Sequence, residues 1–155
     1  VPLLKVSKTK EEFLQNVGKF VKLTHNSKEA LQSADFFANL LLLVLENNEI
    51  EKSILELKNS YDSFFQEMIE KGINSKNSDT FETIRRFGPA CDINSGFSGV
   101  IHLLCKYDNL KDMLVANSKA GGDTSARAMV ASVIFLANKQ ISEIPKNWLN
   151  LKISI

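Results

Sequence analysis

The sequence predicts an all-α, compact multi-helix protein, on three observations. Apolar residues recur at intervals of three and four along most of the 155-residue chain. Three polar residues, Thr9, Asn26 and Asn48, each stand three positions ahead of a glutamate at the mouth of such a run, the pattern of a helix-capping box. No stretch alternates with the twofold period of a solvent-facing strand. About seven helices follow, with no internal repeat and no low-complexity linker.

The first predicted helix runs from Glu11 to about Leu23, with Thr9 and Glu12 as its box and Phe13, Leu14, Val17, Phe20 and Val21 as its stripe. The second opens on Asn26 with Glu29 and carries Ala30, Leu31, Ala34, Phe37, Ala38, Leu41, Leu42 and Leu45. Its end, Leu40 to Leu45, is apolar on every face, so other helices are expected to enclose it. A third, from Asn48 with Glu51, draws Ile50, Ile54, Leu57, Tyr61, Phe64, Phe65 and Met68 into one stripe that ends at Gly72, a favourable residue just past a helix end. It is read as amphipathic and outward-facing, with Glu67 and Lys71 as an i,i+4 pair.

Ile73 to Asp79 reads as a loop, and Phe81 to Phe87 as a short helix stopped by Gly88-Pro89. A small-residue helix follows from about Phe97 to Tyr107, another from Asn109 to Ser118, and Ala120-Gly121-Gly122 turns the chain. From Asp123 to Ala137, alanine and serine let neighbouring backbones approach closely, as in a packed central helix. Ile144 to Leu149 reads as a proline-started turn of helix docking the Trp148 indole.

Composition narrows the function classes. Nineteen Lys+Arg against eighteen Asp+Glu leave a net charge of +1, without the basic surplus that nucleic-acid binding requires. A hydrophobic fraction of 44% excludes a disordered tail, and the length suits one self-supporting helical domain over residues 1–155 or a fragment of a larger one. The longest purely apolar run, Leu40 to Leu45, is far short of the roughly 20 residues that span a bilayer, so no membrane partner is expected. Cys91 and Cys105 lack the spacing of a zinc knuckle or a redox CxxC, and read as buried thiols of a reducing, cytoplasmic compartment. The start Val1-Pro2-Leu3-Leu4 reads as the continuation of a longer polypeptide.

The segment with most chemistry is Gly121-Gly122-Asp123-Thr124-Ser125, at the mouth of a predicted helix. Two glycines allow a tight turn, and free helix-start N–H groups favour anionic oxygens. Asp123, Thr124 and Ser125 crowd hard oxygen donors of the kind Mg²⁺ takes as ligands, or Asp123 caps the helix behind a glycine turn. Asp92, in the loop after Gly88-Pro89, either approaches this turn or caps the next helix. Arg127, one turn further on, either forms a salt bridge, with Asp123 in reach, or meets an anionic ligand. His25 reads as a helix-end residue and His102 as a satisfied core histidine, so zinc is not expected.

These residues resemble a family. Gly88-Pro89-Ala90-Cys91-Asp92, then Gly99-Val100-Ile101-His102-Leu103, Tyr107 to Lys111, Ala120 to Met129 and Ile144 to Leu149 are similar, in this order, to the C-terminal half of the ADP-ribosylglycohydrolase family, which includes the J1 crystallins. Leu23-Thr24-His25-Asn26 resembles that family's mid-chain threonine-histidine element. The resemblance implies a compact orthogonal bundle of helices and, in active members, two Mg²⁺ ions that serve removal of ADP-ribose from a modified substrate. It makes Asp123 a metal ligand and the catalytic acid or base, Ser125 a replacement metal ligand, and Gly121, Gly122 and Asp92 substrate-binding residues. Ser125 stands where the family has a second aspartate and Ala126 where it has a hydroxyl, and the N-terminal ligands are absent, so the two-metal centre is incomplete. The expectation is a catalytically impaired or structural relative of these enzymes. The alternative is a Mg²⁺-dependent hydrolase completed by an N-terminal half or a second polypeptide, with self-association as another way to cover an open apolar face.

Overall fold

Short polar side chains divide the chain into helices. In the computed structural model, which describes residues 2–139 and 143–149, the order is α1 (Pro2–Val6), α2 (Lys10–Lys22), α3 (Lys28–Leu45), α4 (Ile50–Lys58), α5 (Ser63–Asn74), α6 (Thr80–Phe87), α7 (Ile93–Lys106), α8 (Leu110–Ala120) and α9 (Thr124–Lys139), then a 3-10 turn at Lys146–Trp148. No strand occurs among the described residues, and the helices form an all-α bundle. Thr9, Ser27, Asp62, Asp79, Asp92 and Asn109 each accept a backbone N–H three residues on, satisfying a donor that the first turn leaves orphaned.

Two of the expected caps fail. Ser27 rather than Asn26 starts α3. Asn48 turns back instead, its Nδ2 donating to the Leu43 carbonyl at 2.9 Å, and α4 starts at Glu49 with no side-chain cap. The single long helix expected from Asn48 to Gly72 is two helices, interrupted at residues 59–61 and restarted by Asp62. Gly72 is not a terminator but lies buried inside α5, where a Cβ would sit 2.5 Å from Ile101 Cβ; the missing side chain lets α5 pack closely on α7. Nor is α5 outward-facing, since Phe65, Met68 and Ile69 are buried, although Glu67 and Lys71 do pair at 2.8 Å on its outer side.

Every residue of α7 from Phe97 to Leu104 is buried, so this helix is the axis of the core. It starts at Ile93, earlier than the expected Phe97, because Asp92 is its cap. Phe36, Phe37, Tyr61, Phe65 and Phe97 pack as a cluster with centroid separations of 5.1 to 6.2 Å, mostly edge to face. Such pairs add about 0.5–1.5 kcal/mol each beyond burial. Leu40, Leu41 and Val44 are enclosed as expected, whereas Leu45 stays 45% exposed. The turn at Lys146–Trp148 does start behind Pro145, and the Trp148 indole is 37% exposed. Cys91 is exposed, contrary to the sequence reading, because it sits in the loop before α7; Cys105 is half-buried, and burial pushes its thiol up to about 12. No helix among the described residues is long and apolar enough to cross a membrane.

Candidate functional site

Two loops at one end of the bundle clasp each other. Gly121 (φ 75°) and Gly122 (φ 67°) both take left-handed conformations open mainly to glycine. A Cβ on Gly122 would lie 2.1 Å from the Pro89 carbonyl oxygen, and the neighbouring Asp123 N–H donates to that same oxygen at 2.9 Å. The turn between α8 and α9 is thus latched onto the loop between α6 and α7. This contact brings Asp92 and Asp123 to one cleft of about 100 Å³, whose apolar wall includes Phe37, Phe97 and Val130.

Within the cleft both carboxylates already serve the backbone. Asp92 Oδ1 accepts the Ser95 N–H at 3.0 Å and Oδ2 accepts the Ser95 hydroxyl at 2.9 Å; the side-chain bond to Ser95 is the main cause that holds this carboxyl below its ordinary range. Asp123 Oδ1 accepts both the Ser125 hydroxyl at 3.0 Å and the Ala126 N–H at 3.1 Å, so Asp123 caps α9. Ser125 therefore points its proton at Asp123 from an exposed position.

The salt bridge expected of Arg127 is not formed among the described residues. Its side chain is 2% exposed. Instead Nε donates to Asn117 Oδ1 at 2.9 Å and Nη2 to the Gly121 carbonyl at 2.5 Å, while Nη1 is buried without a partner. Desolvation lowers its pKa and the charge of Asp123 opposes that shift. Room for the stem comes from Gly99, where a Cβ would meet Arg127 Cδ at 3.1 Å. Asn117 escaped the sequence reading, and no local signal marked it; Gly99 entered that reading only through the family resemblance, without the packing role that the small residues opening α7 could have suggested.

The histidines stand apart from this cleft. His25 is exposed beside Thr24, its Nδ1 2.8 Å from the Thr24 hydroxyl. His102 is a satisfied core residue, with Nδ1 2.8 Å from Ser75 Oγ and Nε2 3.0 Å from Thr80 Oγ1. Burial, aided by Lys106, pushes its pKa down to about 4.

A divalent centre requires several hard anionic donors converging on one point. Among the described residues, no group of three or more His, Cys, Asp or Glu side chains is arranged to hold a metal ion. Asp123 Oδ1 caps its own helix, Ser125 is a neutral donor toward it, and a buried guanidinium follows. These residues do not fit a two-ion site by themselves.

The sequence matches the ADP-ribosylglycohydrolase family over residues 1–152. It is 23% identical over 135 residues to crystallin J1A of Tripedalia cystophora, an alignment covering 86% of this chain and 42% of that protein. The chain thus spans about two fifths of the length of this curated relative. With a family match running over nearly its whole length and an all-helical bundle to go with it, the chain belongs to the ADP-ribosylglycohydrolase family.

Proposed function

We propose that this chain is a catalytically impaired, structural member of the family, corresponding to its C-terminal half. The carrying observation is the pairing of Asp123 with its own helix start while the buried Arg127 guanidinium fills the space one turn behind it. A positive charge held there opposes any cation drawn to Asp123, and Ser125 offers no charge to compensate. The similarity to a crystallin supports a role in which a stable helical scaffold matters more than turnover. Two free cysteines suit a reducing, cytoplasmic setting. The test is calorimetry with ADP-ribose, with and without Mg²⁺, beside an assay for ADP-ribose release from modified peptides. No Mg²⁺-dependent release is expected; measurable release overturns the reading.

A second reading is favoured by the open apolar face. Phe37 and Val130 continue from the Asp123 cleft into a groove of about 260 Å³ with Phe13, Leu41 and Val133, and Met129 at its edge is 66% exposed. An N-terminal half, or a second polypeptide, laid on that face would cover it and bring further donors to Asp123, completing a Mg²⁺-dependent hydrolase that removes ADP-ribose from a modified substrate. Native mass spectrometry beside denaturing intact mass separates these arrangements. A second polypeptide in the native particle favours the completed hydrolase, and a particle of this chain alone or self-associated favours the structural role.

A further inference from the structure

The two faces of α7 carry different chemistry. Ile93, Phe97 and Val100 face the Asp123 cleft, whereas Asn94 and Ser98 face a separate groove of about 480 Å³ bounded by α5 and α6. That volume falls in the range of roughly 300–1,000 Å³ typical of small-molecule sites. Lys71 from α5 and Arg86 from α6 line it, and no Asp or Glu is among its lining residues. Two amides, Asn74 and Asn94, add neutral hydrogen-bonding groups, and the rings of Phe64 and Phe87 supply flat apolar wall.

Both cations are available to a ligand. Arg86 has no ion-pair partner among the described residues; its guanidinium lies 5.8 Å from the ring centroid of Phe87. Lys71 pairs with Glu67, but both side chains are more than half exposed, and such a surface pair is held weakly enough for a better-placed oxyanion to compete.

The floor of the groove is fixed and unreactive. Ser98 Oγ donates to the Met68 carbonyl at 2.8 Å. Ser75 Oγ donates its one proton to the Gly72 carbonyl at 2.7 Å, so the 2.8 Å contact with His102 requires Nδ1–H to be the donor. His102 Nε2 then accepts from Thr80 Oγ1, which in turn accepts from the Tyr107 hydroxyl at 2.6 Å. This one-way chain turns the imidazole's proton, not its lone pair, toward Ser75. The serine is therefore not activated as a nucleophile, and the groove is built to bind rather than to react.

We propose that the groove between α5, α6 and α7 is a second ligand site, separate from the Asp123 cleft, that takes a phosphate monoester carried on a flat ring. A phosphomonoester holds about −1.5 to −2 charges near neutral pH, matching two cations, and a pair of its oxygens can accept two parallel N–H bonds from the guanidinium fork. The ring lies against Phe64 and Phe87 while the phosphate sits between Lys71 and Arg86.

Calorimetric and NMR titration of the 155-residue chain with phenyl phosphate, inorganic phosphate and phenol tests this. Phenyl phosphate is expected to bind saturably, at least tenfold more tightly than either inorganic phosphate or phenol. Arg86→Gln and Lys71→Gln should each weaken it at least tenfold, Arg86→Lys less, and Asp123→Asn not at all. Both cations are exposed, and unchanged thermal melting of the variants confirms that folding is not the cause. Absence of saturable binding overturns the proposal, as does binding indifferent to Arg86 and Lys71, equal affinity for inorganic phosphate, or loss of binding with Asp123→Asn.

Discussion

Arg127 and Asn117 form a relayed clasp: Arg127 Nε donates to Asn117 Oδ1 at 2.9 Å, and Asn117 Nδ2 donates on to the Thr124 carbonyl at 2.8 Å. Together with the bond from Nη2 to Gly121, this fastens the last turn of α8 to the first turn of α9 across the glycine turn. Charge-assisted bonds of this kind contribute about 1.5–3 kcal/mol, and removing one partner strands the other in the interior. Arg127→Ala is expected to lower unfolding free energy by about 3 kcal/mol, and Asn117→Ala by about 2 kcal/mol. The double variant should lose clearly less than the sum, because both substitutions break one network. Urea melts of the four proteins read the coupling directly; simple additivity would contradict the clasp.

The latch between the two loops is tested at glycine. Gly122→Ala combines a left-handed backbone with a Cβ 2.1 Å from the Pro89 oxygen, and should cost more than about 2 kcal/mol while freeing the 88–92 loop. Gly96→Ala makes the contrast. It lies within α7 with nothing within 4 Å of the added Cβ, so the gain in helix propensity should stabilise by about 0.5–1 kcal/mol. Thermal melting gives both signs, and amide exchange across residues 88–92 should rise only in Gly122→Ala.

His102 gives the stability a pH dependence of known sign. Its pKa falls from 6.5 unfolded to about 4 folded, chiefly through burial, with Lys106 and Arg86 adding to the shift and Asp79 opposing it. Between those values the unfolded chain binds more protons than the folded one. The contribution is therefore complete above about pH 6.5 and disappears as the pH drops toward 4, by an amount on the order of 3 kcal/mol. His102→Gln should be less stable at pH 7 yet show a shallower loss between pH 6.5 and 4, measured as the difference in urea midpoints. Equal slopes would mean that the carboxylates alone carry the acid response.

The two thiols should react at very different rates. Cys91 is exposed, while Cys105 is half-buried with its thiol pushed up to about 12, leaving little thiolate near neutral pH. Iodoacetamide at pH 8 is expected to label Cys91 first and Cys105 only on unfolding, read by peptide mass mapping. Comparable labelling of both in the native protein would overturn that order.

Much of this architecture was legible because capping chemistry is local. Thr9 and Asp92 do in the fold what a short polar side chain before an apolar run is suited to do, and Gly121-Gly122 makes the tight turn that two glycines permit. The error at 48–72 has a physical cause. Apolar spacing stays helical through Leu57, Tyr61 and Phe64, so periodicity alone cannot register a break at 59–61 that tertiary packing and the Asp62 cap produce. Arg127 was illegible for a different reason: its partners lie ten positions back on α8 and in a preceding turn, and its space depends on a glycine in α7. Burial of a charge is a property of three helices together, which no local window contains.

Magnesium provides the decisive test of the cleft. Any ligand that binds the folded state alone raises its stability by RT ln(1 + [L]/Kd), so a site with Kd near 0.1 mM would gain roughly 2.7 kcal/mol in about 10 mM Mg²⁺. With Asp123 capping α9 and Arg127 buried behind it, the melting temperature of this chain is expected to stay unchanged on such an addition. Asp123→Asn should then be nearly silent, within about 0.5 kcal/mol, since asparagine caps a helix as well as aspartate does, whereas Asp123→Ala should lose about 1 kcal/mol. That ordering marks Asp123 as a capping residue in this chain. A Mg²⁺-dependent rise in melting temperature that Asp123→Asn abolishes would instead make it a metal ligand, and would return the chain to the catalytic reading.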